Sequence, residues 1–421
     1  MIQIIPLLPG ITLRCCGDTR FKQGCLSLQL VRPMCREEAS LNALIPAVLI
    51  RGTEKSRDLR EITLRLDDLY GAAVGTMVRR IGDYQTTGLS CSFIEDRYAL
   101  PGEQVLEPMI RFLGELLLHP LTENGIFCRD YVESEKKNLI SAIEAELNDK
   151  RTYAMGRMLK LMGRQDSFGI PRMGTKEDAA AITAESAWAH YRKALEESPI
   201  EIFYVGTASA EKLAELLKEV FRDLPRSPKA LSAQTPFHVM EPQTVREQLD
   251  VTQAQLCMGF TTPITNQDSR FAAMQVANAL YGAGMTSKLF LNVREKMSLC
   301  YTVGSSYSGT KGIMTVSAGL DADKAPVAQQ EILDQLKACT EGRISSEELT
   351  AAKEAILSAL RATHDSPGAI ESFYANASLS GLNRTVEQYK EEVRAVTAEQ
   401  AAAAAATLTL NTVYTLEGVK A

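Results

Sequence analysis

The chain has only four histidines in 421 residues, His119, His190, His238 and His364. No two stand within one helical turn of each other, so a shared imidazole site on one helix face is excluded. Lone histidines of this kind are expected to cap helices or sit at turns. No apolar run approaches the roughly 20 residues that a membrane span requires, so no spanning helix is expected. Charge of one sign is scarce too: the net charge is −6 and the pI is near 5.5, with no basic block to serve as a footprint for nucleic acid or an anionic membrane. The nine cysteines are odd in number and include no C-x-x-C pair, which points to reduced, mostly buried thiols. The first ten residues carry no basic group and are interrupted by Pro6, Pro9 and Gly10; they fail as a signal peptide and read as an edge strand. A cytoplasmic protein is expected.

Hydrophobic residues make up 45% of the chain, enough for two domains of ordinary size. Short β-like runs at Ile11–Leu13 and Cys25–Val31 precede a helix from about Glu37. Its apolar positions Leu41, Leu44, Ile45, Val48 and Leu49 follow the i, i+3, i+4, i+7, i+8 pattern of one buried stripe. Further helices are expected at 59–69, 106–118, 132–147 and 208–221, and strands at 85–93 and near Glu201. Residues 224–251, rich in Pro, Ser, Gln and Lys, are the best linker. Beyond it the order returns: strand at 254–260, helix at 271–280, a Gly-rich turn, helix at 288–295, strands at 301–307 and 313–320. The repeat, of about 200 residues, implies a duplication and not a solenoid. A helical tail follows, with an alanine-rich helix at 401–406 and a last strand at 412–416.

The segment Ser287-Lys-Leu-Phe-Leu-Asn-Val-Arg294-Glu-Lys-Met-Ser-Leu-Cys-Tyr301, preceded by Gly284-Met-Thr, is the most specific motif in the chain. It resembles the second active-site element of the pitrilysin and insulinase superfamily of zinc peptidases, which includes the mitochondrial processing peptidases. Members carry His-x-x-Glu-His early in the first half and an Arg with a Tyr seven residues later in the second. Arg294 and Tyr301 match the latter, with Lys288 where relatives usually carry Arg. A guanidinium offers fixed donors and a phenol one hydrogen bond, which suits them to a peptide carbonyl. The plainer alternative makes Arg294 a surface ion-pair partner and Tyr301 a core residue.

The resemblance also locates what is missing. When Ile50-Arg-Gly-Thr53 is laid on the family segment that follows the zinc motif, the two His positions fall on Ala43 and Ala47 and the Glu position on Pro46. None of these binds zinc or takes a proton, and proline inside a helix removes a donor and crowds the preceding turn. The later helix that supplies the third ligand in relatives is matched by the stretch from Glu135, with Ser141 and Ala142 at the acidic positions and Glu144 and Glu146 displaced. Val74, Gly75 and Thr76 correspond to the family's edge strand that pairs with an extended peptide, although an ordinary half-buried strand accounts for them slightly better.

The fold implied is α+β: two homologous α/β units of the metallopeptidase-like fold, each a mostly antiparallel sheet with helices on one face. The domains are expected at 1–225 and 251–421, with a linker at 226–250. The function implied is that of a metal-free, cofactor-free subunit, not catalytic alone, lending Arg294 and Tyr301 to a zinc-bearing homologous partner that cleaves a peptide or protein. Bacterial members and the mitochondrial enzymes divide labour between unlike subunits. The alternative is a non-catalytic peptide-binding or scaffold protein, as a homodimer, like the respiratory-complex core subunits of the superfamily. No Ser, His and Asp set, phosphate-binding glycine loop or acidic pair supports independent chemistry. Neither nucleic acid nor membrane is an expected partner.

Overall fold

The computed structural model describes residues 2–232 and 234–419. In chain order its strands are β1 (Ile2–Leu8), β2 (Ile11–Gly17), β3 (Gln23–Pro33), β4 (Ala73–Ile81), β5 (Tyr84–Ile94), the short β6 (Thr122–Glu123) and β7 (Ile126–Phe127), β8 (Ile200–Gly206), β9 (Gln243–Leu249), β10 (Ala254–Thr261), β11 (Thr302–Ser308), β12 (Ile313–Leu320) and β13 (Thr409–Gly418). Two large sheets result, one ordered β1-β2-β8-β3-β5-β4 and the other β11-β12-β10-β13-β9, beside the two-stranded β6-β7. β9 falls inside the stretch read as a linker.

The duplication is visible in the pairing. From the β4 edge inward, β4, β5, β3, β8 and β2 have the same neighbours and the same relative directions as β11, β12, β10, β13 and β9. The match includes the one parallel contact in each sheet, β2 with β8 and β9 with β13. All the other neighbours are antiparallel. β4 and β11 are therefore equivalent edges. The chain forms two homologous α/β units with mostly antiparallel sheets.

By compactness, one unit comprises Met1–Glu144, Pro171–Ala233 and His364–Asn376, and the other comprises Ala145–Ile170, Gln234–Thr363 and Ala377–Ala421. In the first, helices α1 (Arg36–Leu49), α2 (Leu59–Asp68) and α3 (Leu106–Leu118) follow the expected stripes, and α4 (Arg129–Asn148) begins slightly before its expected start. Leu44, Leu49, Met109, Leu113 and Leu116, each 0–1% exposed, pack in one core with Leu26, Leu28 and Leu89 of β3 and β5. Burying a side chain of this size contributes about 2 kcal/mol, which is what holds the helices on this face of the sheet.

The opposite face of each sheet is covered as well. Helix α5 (Lys150–Met162), which the sequence pattern did not reveal, sets Ala154, Met158 and Leu161 against Cys257, Tyr414 and Leu416 of the second sheet. On the first sheet Glu371, 3% exposed, accepts from Ser27 Oγ and Gln29 Nε2 at 2.8 Å each, and from Arg79 Nη2 at 2.9 Å. A buried carboxylate is tolerable because it is paired and hydrogen-bonded. Each sheet thus carries its main helices on one face and one additional helix on the other. Among the described residues no helix is long and apolar enough to cross a membrane.

Candidate functional site

Ala43, Pro46 and Ala47 lie in α1, with Ala43 and Pro46 buried and Ala47 half-buried. Residues four apart on a helix are neighbours, so Ala43 and Ala47 occupy the two places a pair of imidazoles would need. Two methyl groups and a pyrrolidine ring offer no donor atom, and a zinc ion does not fit there. Among the described residues no group of three or more His, Cys, Asp or Glu side chains is placed to share an ion. On α4, Ser141 and Ala142 are exposed, Glu144 pairs with Lys176, and Glu146 is exposed. Glu135 is paired with Arg51 Nη1 at 3.1 Å.

Pro46 does not break α1, which runs unbroken to Leu49. Having no N–H, Pro46 leaves the Asn42 carbonyl without its helical donor. Thr87 Oγ1 of β5 supplies a replacement at 2.6 Å. The Asn42 side chain anchors a further buried network: its Nδ2 donates to Gln85 Oε1 at 2.8 Å, and Gln85 Nε2 donates to the carbonyls of Ala39 (3.0 Å) and Arg172 (2.7 Å). Because Gln85 Nε2 faces two carbonyls, the amide orientations are determined: Asn42 Oδ1 is the acceptor, and His190 Nε2, 2.7 Å away, donates to it. Burial pushes the His190 imidazole down to about 4, with the Glu38 carboxylate offsetting only part of that, so the ring is neutral at pH 7.

His190 therefore neither caps a helix nor sits at a turn; it is a core residue of the helix Ala184–Glu197. The expectation for lone histidines holds for His119, which terminates α3. Spacing in the sequence gives no sign of this network, since each bonded pair is more than 40 positions apart. The one available signal was Pro46, whose missing N–H requires that some donor meet the Asn42 carbonyl.

Val74, Gly75 and Thr76 lie on β4, an edge strand of the first sheet. β4 and β5 are joined by the two-residue turn Gly82-Asp83, with Gly82 at φ +59°, which makes Ile81 and Tyr84 the first hydrogen-bonded pair. Hydrogen-bonded and non-hydrogen-bonded pairs alternate along an antiparallel ladder. The N–H and C=O of Val74, Thr76 and Val78 consequently point away from β5, while those of Gly75 point into the sheet.

Arg294 and Tyr301 meet in the second unit. Residues Leu289–Lys296 form a π-helix, not the expected α-helix, ending at Ser298 with φ +51°. π-Helical turns are wide and occur often at functional sites. The Arg294 guanidinium lies 4.7 Å from the centre of the Phe290 ring, and its nearest acid, its neighbour Glu295, is 3.6 Å away. With a side chain 40% exposed, this is a weak pair. Tyr301 is 56% exposed; its N–H donates to the Gly319 carbonyl at 2.8 Å and its hydroxyl to Asp321 Oδ1 at 2.9 Å. That hydrogen bond pushes the phenol up from its ordinary value. Asp321 is held in turn by Lys324 at 3.2 Å. Arg294, Tyr301, Ser298 and Lys324 line an open concavity of about 410 Å³. Lys288, at the departing position, is buried and paired with Glu348 at 2.6 Å.

Residues 181–356 match the family described as the peptidase M16 inactive domain. Along 98% of its length the chain is 27% identical to the probable inactive metalloprotease YmfF of Bacillus subtilis, covering 96% of that protein. A conserved protein from Enterococcus faecalis superposes with a TM-score of 0.90 at 29% identity over 99% of both chains. A peptidase M16 inactive domain from Pseudomonas fluorescens superposes with a TM-score of 0.82 at 18% identity, covering 100% of this chain and 99% of that one. These likenesses, together with the missing His-x-x-Glu-His motif, fit an inactive member of the pitrilysin and insulinase superfamily.

Proposed function

We propose that this chain is the metal-free subunit of a two-subunit zinc peptidase. It lends Arg294 and Tyr301 to a peptide held at the zinc of a homologous partner that carries the intact motif. The observation that carries the reading is an asymmetry. The α1 positions hold no ligand atom, whereas Arg294 and Tyr301 share an open concavity, Arg294 paired only weakly with its neighbour Glu295 and the Tyr301 hydroxyl bonded to Asp321. A guanidinium and a phenol in that setting stabilise charge on a scissile carbonyl when a substrate is brought to them.

The test is turnover of a quenched fluorescent peptide by the assembled complex. Arg294→Ala is expected to lower the rate by roughly 10²-fold while assembly is unchanged; an unaltered rate contradicts the proposal. A second reading, a non-catalytic peptide-binding or scaffold protein acting as a homodimer, draws support from the outward backbone groups of Val74 and Thr76. They need no metal to pair with an extended chain.

A further inference from the structure

The loop between the 3-10 turn at Ser167–Gly169 and the helix Lys176–Ala180 places one cation at the end of the β4 edge. Arg172 is exposed, and its Nη1 donates to the outward carbonyl of Val78 at 2.8 Å. Three contacts fix the loop. The Arg172 carbonyl accepts from Gln85 Nε2 at 2.7 Å, the Met173 carbonyl accepts from Ser40 Oγ at 3.1 Å, and Gly174 N–H donates back to the Pro171 carbonyl at 2.9 Å. Gly174 has φ +74°, and a Cβ there would stand 2.0 Å from Ser40 Oγ, so the turn admits no side chain at that point. The guanidinium is held beside the edge by a rigid turn.

Two consequences follow for anything that pairs with β4. With the Val78 carbonyl taken, the outward groups of Val74 and Thr76 and the Val78 N–H remain on this stretch of the edge, enough to pair with a segment of three or four residues. At the Val78 end such a segment meets a guanidinium with several donors left over. Guanidinium donors match a carboxylate in geometry as well as in charge.

We infer that Arg172 limits the β4 edge to a short extended peptide and selects one bearing a carboxylate, either a C-terminus or an acidic side chain, where it meets Val78. The inference rests on the reading of β4 as a peptide-pairing strand and is independent of Arg294 and Tyr301. Arg172 acts here as a specificity-determining residue and touches no reacting atom.

The experiment is affinity selection by the full chain from an equimolar mixture of random hexapeptides made as free acids and as primary amides, read by mass spectrometry. About fivefold enrichment of free acids, or of amides with Asp or Glu near one end, is expected for a partly exposed charge-assisted contact. The balance between the two kinds of peptide identifies which source supplies the carboxylate. Arg172→Met should bring the enrichment to unity without loss of fold.

Thr76→Pro removes an outward N–H that the β4–β5 ladder does not use, so the strand should survive and the selection should vanish. Equal recovery of acids and amides by the unaltered chain with no enrichment of Asp or Glu in either, or a preference that persists in Arg172→Met, overturns the inference. Absence of any selected peptide overturns the edge reading together with it. A normal Arg294 effect on turnover alongside equal recovery sinks this inference alone.

Discussion

Pro46 removes a hydrogen-bond donor from α1, and Thr87 on the adjacent strand puts one back. Thr87→Val should therefore cost about 1–3 kcal/mol, the penalty for stranding a buried carbonyl, measured by equilibrium denaturation. In a Pro46→Ala background the restored N–H reaches the same carbonyl, and the cost of Thr87→Val should fall by about 1 kcal/mol; equal costs in both backgrounds would contradict the assignment. His190 yields a pH prediction. Its folded pKa lies below that of a free histidine, so on acidification the unfolded chain takes up the proton first. Stability is unaffected above pH 6.5 and is lost as the pH falls from 6.5 toward about 4, by roughly 3 kcal/mol in all. Denaturation at pH 7 and pH 4.5 should show that part of the acid sensitivity missing from His190→Gln, whose amide still donates to Asn42.

Among the elements, those with strong periodicity were legible in advance. The stripe from Leu41 to Leu49 reads directly from spacing, and α3 and β5 fall within one residue of their expected bounds. Of the elements that were not legible, three show different physical reasons. β9 is an edge strand whose residues are exposed or half-buried by turns, so little apolar signal marks it within a Pro- and Gln-rich stretch. α5 presents only a narrow row of Ala154, Met158 and Leu161 to its sheet, between Lys and Arg residues. The π-helix at 289–296 has no signature in spacing; Asn292 in it donates to Gln335, and the left-handed Ser298 follows its end. An element-scale prediction concerns the β11–β12 connection, where Lys311 is 0% exposed and sits 3.2 Å from Asp166, itself 4% exposed. Lys311→Met leaves that carboxylate buried without its cation and should cost about 3–5 kcal/mol. Addition of Asp166→Asn should recover part of the loss in a thermal or urea melt; a mild effect of Lys311→Met alone would show the pair to be well solvated.

At the scale of the whole molecule, the candidate site divides into what a motif reveals and what only folding assembles. Ala43, Pro46 and Ala47 were identifiable because a short spaced pattern defines the positions they fill. Arg294 and Tyr301 were identifiable because the string around them is specific. Arg172, Gln85 and His190 were not, because what matters is where long-range contacts put them: at the end of an open edge or inside a buried amide network.

The measurement that bears most directly on the account is purification of the chain from its native cell, with identification of bound proteins and zinc analysis of the complex and of the isolated chain. The account predicts a stoichiometric partner bearing His-x-x-Glu-His, about one zinc per pair, and none retained by this chain alone. A metal-free homodimer, or zinc bound tightly by the isolated chain, would contradict it.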